Sequence, residues 1–301
     1  MAAAPREARR SLSPSRAADF RACPLLYRLR AVDRLPEGPS AAAARGTLVH
    51  LVLERLFALP PERRTPAAAR ALLAPAWADL VAERPELSGL VAAPDEAPDD
   101  TDGVPLGRWL ADADRFLGGY FALEDPRRLH PSATEERVEV TTAGGLELRG
   151  VVDRLDVAPG GEVRVVDYKT GRAPGAGFEA SALFQMRFYA LVHWRRTGVV
   201  PRLLQLMYLG DPEVLRLEPT AHDLEGFEAT LEALASAVER ALPTGDFPAR
   251  PGPRCRWCDH HASCPAQGGT PPPYPGPVPL GLPTSRRAGD RAAGRPEPLA
   301  A

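Results

Sequence analysis

A chain of 301 residues, 44% hydrophobic and 25% charged, falls in the ordinary globular range and can bury a sizeable core. A net charge of −2 argues against a protein whose only work is to coat nucleic acid, yet leaves room for a local basic groove. No apolar run of about 18 residues reads as a membrane span. The basic start, Met1 to Arg10, leads into no apolar signal core. The expectation is a cytoplasmic protein with no membrane partner.

Residues 1–10 read as a disordered arm. Ser13-Pro14 is a helix start, and the helical segment to Arg30 carries Pro24 as a kink or break. Ala41 to Leu59, Pro66 to Glu83 and Leu106 to Leu123 read as further helices, with 92–105 an acidic, Pro-rich loop between the last two. The period then changes. Thr134–Thr142, Leu146–Val157 and Glu162–Lys169 alternate and are rich in Val, as strands are. Phe178 to Arg196 reads as a helix, Leu203–Leu209 and Val214–Leu217 as strands, and Ala221 to Leu242 as a long helix capped by Thr220. Residues 267–301, rich in Pro, Gly and Arg, read as a disordered tail. The folded part is therefore expected over 11–266, an α/β or α+β core with a helical N-terminal portion.

The stretch Gly150-Val-Val-Asp153-Arg-Leu-Asp156 and Arg164-Val-Val-Asp167-Tyr168-Lys169 flanks Pro159-Gly160-Gly161, a hairpin connection. A three-residue loop centred on Gly160 sets Asp153 opposite Asp167, where cross-strand Cβ atoms lie about 4.5–5.5 Å apart. Two facing carboxylates destabilise a sheet unless a divalent cation sits between them, and carboxylate oxygens suit Mg²⁺ and Mn²⁺. Lys169, two residues on, shares that face. Two carboxylates and an ammonium are the equipment for metal-assisted phosphodiester hydrolysis. Asp156 and Arg164 fall opposite each other on the other face, as an ordinary salt bridge.

This hairpin resembles the PD-(D/E)XK nuclease core of RecB-family exonucleases. The resemblance implies a restriction-endonuclease-like fold, a mixed central sheet flanked by helices. It implies metal binding by Asp153 and Asp167 and a catalytic role for Lys169. Gln185-Met-Arg-Phe-Tyr189 is similar to the family's Q-x-x-x-Y helix, which would bring Gln185 and Tyr189 into the active site. Gly46-Thr-Leu-Val-His50 is similar to its G-x-x-x-H helix, which would make His50 a further metal ligand and Mn²⁺ as suitable as Mg²⁺. A Glu on the strand before Asp153 is also common, and Glu135 and Glu136 both qualify. Singly these residues would read as helix surface, core or loop; their order and spacing carry the match.

Four cysteines, Cys23, Cys255, Cys258 and Cys264, suggest a metal or cluster rather than disulfides in a cytosolic chain. One distant cysteine with a C-x2-C-x5-C group resembles the 4Fe–4S arrangement of AddAB-type nuclease subunits. That resemblance implies a C-terminal iron–sulfur lobe, Cys23 with 250–266, with Trp257 as a shield from solvent. Structural Zn²⁺, with His260 or His261 replacing one cysteine, is the other reading.

Arg16, Arg21, Arg28 and Arg30 are candidates for DNA phosphate contacts, or else a solvated basic face. No G-x-x-x-x-G-K-[ST] pattern is present, so a helicase subunit would be a separate protein. The expected activity is a metal-dependent DNA exonuclease, acting on single-stranded DNA or DNA ends in repair and recombination. The rivals are a non-catalytic DNA-binding or scaffold subunit of a helicase–nuclease complex, and a zinc-ribbon module.

Overall fold

The structure, a computed structural model, describes residues 10–91, 104–171, 173 and 179–276. Most of the expected arm, the acidic loop up to residue 103, Phe178 and the tail from 277 lie outside the described residues.

The N-terminal helical portion is built from short capped segments. Ser13 accepts a hydrogen bond from Arg16 N at 3.3 Å and starts α1 (Pro14–Ala22). The segment expected to continue to Arg30 breaks at Cys23, whose backbone is extended. Pro24 is the cause, because its ring disfavours helical backbone in the residue before it. The chain restarts as α2 (Pro24–Tyr27) and passes into a wide π-helical turn over Arg28–Val32. Ser40 and Thr65 cap α3 (Ala41–Phe57) and α4 (Pro66–Glu83), and α5 (Leu106–Leu123) follows.

Among the described residues six strands form one mixed sheet. Strand β1 (Ser11–Leu12) is too short to show alternation, and the sequence reading does not find it. It lies parallel to Glu147 and Leu148 of β3 (Glu147–Val157). Strand β2 (Pro131–Thr141) pairs antiparallel along the whole opposite edge of β3. The β3–β4 hairpin has the expected loop. Ala158 N donates to Glu162 O, and Gly161, at φ +90, turns the chain. Asp156 pairs with Arg164 and Arg154 with Val166 of β4 (Val163–Lys169). Helix α6 (Glu179–Thr197) crosses over to β5 (Leu203–Tyr208), parallel to β4, and β6 (Glu213–Leu217) closes the sheet antiparallel.

Each face of the sheet has its own core. Val165, Leu204 and Leu206 pack with Phe188, Val192 and Leu231 from α6 and α7 (Ala221–Thr244). Val166, Tyr168 and Met207 pack with Leu48, Val52, Trp109 and Leu117 from α3 and α5. Helix α5 lies close on β5 because Gly119 has no Cβ, which would overlap the carbonyl of Leu209. This is the expected α/β class, a mixed sheet flanked by helices. The packed chain also runs past the expected boundary at 266: Tyr274 lies against Phe247, and its hydroxyl donates to Leu242 O.

Candidate active site

The site sits where β3 and β4 part. Along one edge β3 pairs with β1 at Glu147–Leu148 and with β4 from Arg154 onward, leaving a fork between. The ladder stops one pair short of Asp153 and Asp167. In its place the Tyr168 N–H donates to Asp153 Oδ2 at 2.7 Å. Side-chain alternation also breaks here. Val152 faces the α6 side, yet Arg154, two residues on, lies against Phe57 and Tyr168 on the α3 side. Opposite the break, Glu135 on β2 has φ 47, a left-handed backbone that a non-glycine residue adopts only under strain.

These distortions bring three groups together. His50 Nδ1 lies 3.3 Å from Glu135 Oε1 and 3.5 Å from Asp153 Oδ2. One ligand atom from each of the three lies within 4.8 Å of the others. His50 Nε2 is 3.0 Å from Tyr168 O, which can only accept, so Nε2 carries the proton and Nδ1 faces the carboxylates. Burial pulls His50 toward neutrality, but Asp153, Glu135 and Asp167 outweigh it and push its pKa up to about 9. Burial, then the charge of Asp167, raises Asp153 to about 7 despite His50. Crowded anions beside an imidazole nitrogen, with one donor set of oxygen and nitrogen, fit a divalent cation. Of the two glutamates weighed from the sequence, Glu135 joins this set. Glu136 instead pairs with Arg196 at 3.1 Å.

Asp167, 1% exposed, opens the second half of the site. Its Oδ2 is 2.6 Å from Lys169 Nζ. Gln185 bridges the pair, donating from Nε2 to Asp167 Oδ1 at 2.8 Å and accepting from Lys169 Nζ at 2.9 Å. The same Nε2 lies 3.1 Å from the Tyr189 hydroxyl, four residues along α6. Burial works against the Lys169 ammonium, but Asp167 prevails and the pKa is raised. Burial, with Asp167, raises Tyr189 as well. Two motif glycines make room: a Cβ on Gly150 would sit 2.7 Å from the Tyr189 ring, and one on Gly46 3.3 Å from Thr170 Oγ1.

Sequence reading missed the support behind this site. Arg154 is fully buried and donates to the Tyr168 hydroxyl at 2.8 Å. Glu124 at 2.8 Å and Asp156 at 3.2 Å balance its charge. The expected Asp156–Arg164 pair forms at 2.7 Å and belongs to this same network. An Arg directly after the candidate ligand Asp153 was the available signal.

The basic helix is mostly structural. Arg28, 7% exposed, pairs with Asp33 at 3.0 Å and donates to Pro272 O, so it is no phosphate contact. Arg30 is held by Asp19 and Glu37, and Arg16 is half-buried with its pKa lowered by burial. Arg21 is exposed, its guanidinium 4.3 Å over the Phe184 ring beside Gln185.

Cys23 is docked to the C-terminal lobe: Arg250 N lies 3.4 Å from its sulfur, and Leu25 N donates to Pro248 O. Burial raises the Cys258 thiol, and Cys255 and Cys264 are near enough to add to it. His260 is buried with Nε2 2.8 Å from Glu37, and His261 Nε2 lies against Cys255 O. In each ring it is Nε2 that is engaged by these contacts. Trp257, expected as a shield, is 76% exposed.

A family model for the PD-(D/E)XK nuclease superfamily matches residues 11–265. The Gene 69 protein of Mycobacterium phage D29 is 25% identical over 296 residues, covering 84% of this chain and 96% of that protein. The Gene 69 protein of Mycobacterium phage L5 is 33% identical over 126 residues, 40% of each chain. A solved structure from Eubacterium rectale, provisionally named an exonuclease, shares the fold: TM-score 0.50, 13% identity, 83% of this chain and 86% of that one. The family match spans the sheet and both helical layers, and with the forked hairpin at its centre the chain belongs to the PD-(D/E)XK nuclease superfamily.

Proposed function

We propose that this protein is a RecB-like, metal-dependent exonuclease acting on single-stranded DNA or DNA ends, in repair and recombination. The observation that carries the reading is the junction of two groups at one strand fork. The first is His50, Glu135 and Asp153; the second is Asp167, Lys169, Gln185 and Tyr189. Mg²⁺ or Mn²⁺ would be held by His50, Glu135 and Asp153, with Asp167 beside them. When bound, the ion supplies Lewis acidity toward the phosphate and a more acidic water.

The chain's own residues do the rest. The Tyr168 N–H and the His50 imidazole orient the Asp153 carboxylate. Asp167 holds Lys169 as a cation, so its ammonium stabilises charge developing on the phosphate rather than taking a proton. Gln185 fixes the Lys169 and Asp167 side chains relative to each other and ties both to α6.

Cys23, Cys255, Cys258 and Cys264 are proposed to hold a 4Fe–4S cluster. Cys23 docks on the C-terminal lobe beside Pro248 and Arg250, and Cys255 and Cys264 lie near enough to raise the Cys258 thiol, which supports one shared four-thiolate site. A helicase, if one takes part, is a separate subunit, and the setting is cytoplasmic. Linear and circular single strands and duplex DNA, incubated with Mn²⁺ or EDTA, test the reading. Linear single strands should be degraded and circles spared, with no loss in EDTA. Binding of DNA with no cleavage by any metal would favour the scaffold reading.

A further inference from the structure

One residue beyond Lys169 the chain enters a cavity of about 370 Å³ lined by Arg115, Phe116, Thr170, Gly171 and Gly210. It opens at the carboxyl ends of β4 and β5, the parallel pair, where open α/β sheets bind their ligands. Glycines keep it open. A Cβ on Gly210 would lie 3.0 Å from Thr170 O and 3.1 Å from the Phe116 ring edge, and Gly46 faces Thr170 from α3. Arg115 is the charged residue of its lining; it pairs with Asp112, which also takes a hydrogen bond from Arg45 at 3.1 Å. Two guanidinium groups share one carboxylate, and the Arg115 side chain is 78% exposed. Thr170 of the lining follows Lys169 directly, and Gly46, which faces Thr170, precedes His50 by four residues on α3, so the cavity adjoins the candidate site.

We propose that this cavity binds the nucleotide next to the scissile phosphate of a DNA strand. Its base stacks on Phe116, and its phosphate is held by Arg115 and Arg45. An aromatic ring offers a π-face to any base, so the subsite is tolerant of sequence, and a phosphate supplies the second anion that the paired arginines lack. The proposal rests on the DNA-nuclease reading and adds to it a subsite apart from the metal ligands.

The test compares wild type with Arg115→Gln and Phe116→Leu. Binding of a fluorescein-labelled single strand is read by anisotropy in Ca²⁺; KM, kcat and Mn²⁺ half-saturation are read from cleavage. Each variant should weaken strand binding and raise KM by about tenfold, with Mn²⁺ half-saturation within about twofold of wild type. An abasic nucleotide beside the scissile bond should slow wild type by a like factor and add nothing to the Phe116→Leu defect. Variants that bind and cleave as wild type does would overturn the cavity alone. Variants whose only change is a lower Tm or a higher Mn²⁺ requirement would also overturn it. Wild type that fails to bind any strand would overturn the nuclease reading with it.

Discussion

His50 donates from Nε2 to the carbonyl oxygen of Tyr168 at 3.0 Å. The bond fixes the tautomer, so the lone pair of Nδ1 turns toward Glu135 and Asp153 once its proton leaves. The backbone of Tyr168, between Asp167 and Lys169, thereby holds two of the candidate ligands: its N–H donates to Asp153, and its C=O accepts from His50. His50→Ala should weaken Mn²⁺ binding by about 10–100-fold or more, measured by calorimetry, since loss of even an outer-sphere partner costs that much. Unchanged affinity would place the ion elsewhere.

Asp153 and His50 make the ion-free protein less stable as pH rises, and both act in the same direction. Asp153 moves from an ordinary value near 3.8 to about 7, so the folded state keeps a proton that the unfolded chain gives up. The resulting stability falls between those values. His50 moves from 6.5 to about 9, so its contribution is full below 6.5 and lost as pH climbs through 9. A divalent ion held at the proposed site would replace these protons. In EDTA the Tm should therefore drop from pH 5 to pH 9, and the Mn²⁺-induced rise in Tm should be larger at pH 8 than at pH 5.5. A Tm in EDTA that rises over that range, or a Mn²⁺ shift independent of pH, would contradict the assignment.

Lys169 is a charge-stabilising group with a raised pKa. Lys169→Ala should lower kcat by about 10²–10³, the loss seen for one oxyanion-stabilising donor, with Mn²⁺ affinity nearly unchanged. Gln185→Ala, which leaves the direct Lys169–Asp167 pair but unties both side chains from α6, should show a smaller loss in kcat. Loss of Mn²⁺ binding equal to the loss of activity would make Lys169 structural.

Arg154 supports the site from the opposite face, between Glu124, Asp156 and the Tyr168 hydroxyl. Arg154→Ala leaves the half-buried Glu124 and Asp156 with Arg164 alone and the Tyr168 hydroxyl without its donor, and should destabilise the chain by about 1–3 kcal/mol, read from urea unfolding in EDTA. A loss within about 0.5 kcal/mol would mean that the network contributes nothing to the fold.

Cys255→Ser tests the lobe that holds the N-terminal segment to the C-terminal one. Anaerobically purified variant should lose iron and the absorbance of the cluster, with a lower Tm. Equal iron content and Tm would remove Cys255 from the cluster.

What the sequence made legible follows from how each feature is encoded. Pro159-Gly160-Gly161 marks the hairpin turn but admits a two- or a three-residue loop; the three-residue register forms, with Gly161 at φ +90. Helix α7 was readable because Thr220 and Asp223 cap it reciprocally. The departures are tertiary. Strand β1 has two residues and exists through pairing with β3. Glu135 could not be told from Glu136 by alternation, because the strained backbone at Glu135 is what turns it toward His50. Asp167 shares the expected face with Asp153, but the strands part before that pair, so Lys169 and Gln185 take its oxygens. Arg28 looked like a phosphate contact because its partners, Asp33 and the backbone at Pro272, are set by folding.

The most direct measurement is the cleavage of end-labelled single-stranded DNA by wild type, Asp153→Ala and Asp167→Ala, each folded by circular dichroism, with Mn²⁺ and with EDTA. The account predicts degradation by wild type in Mn²⁺ alone and none by either variant. Equal cleavage by a variant and wild type, or cleavage by wild type that persists in EDTA, would contradict a metal-dependent nuclease site at the β3–β4 fork.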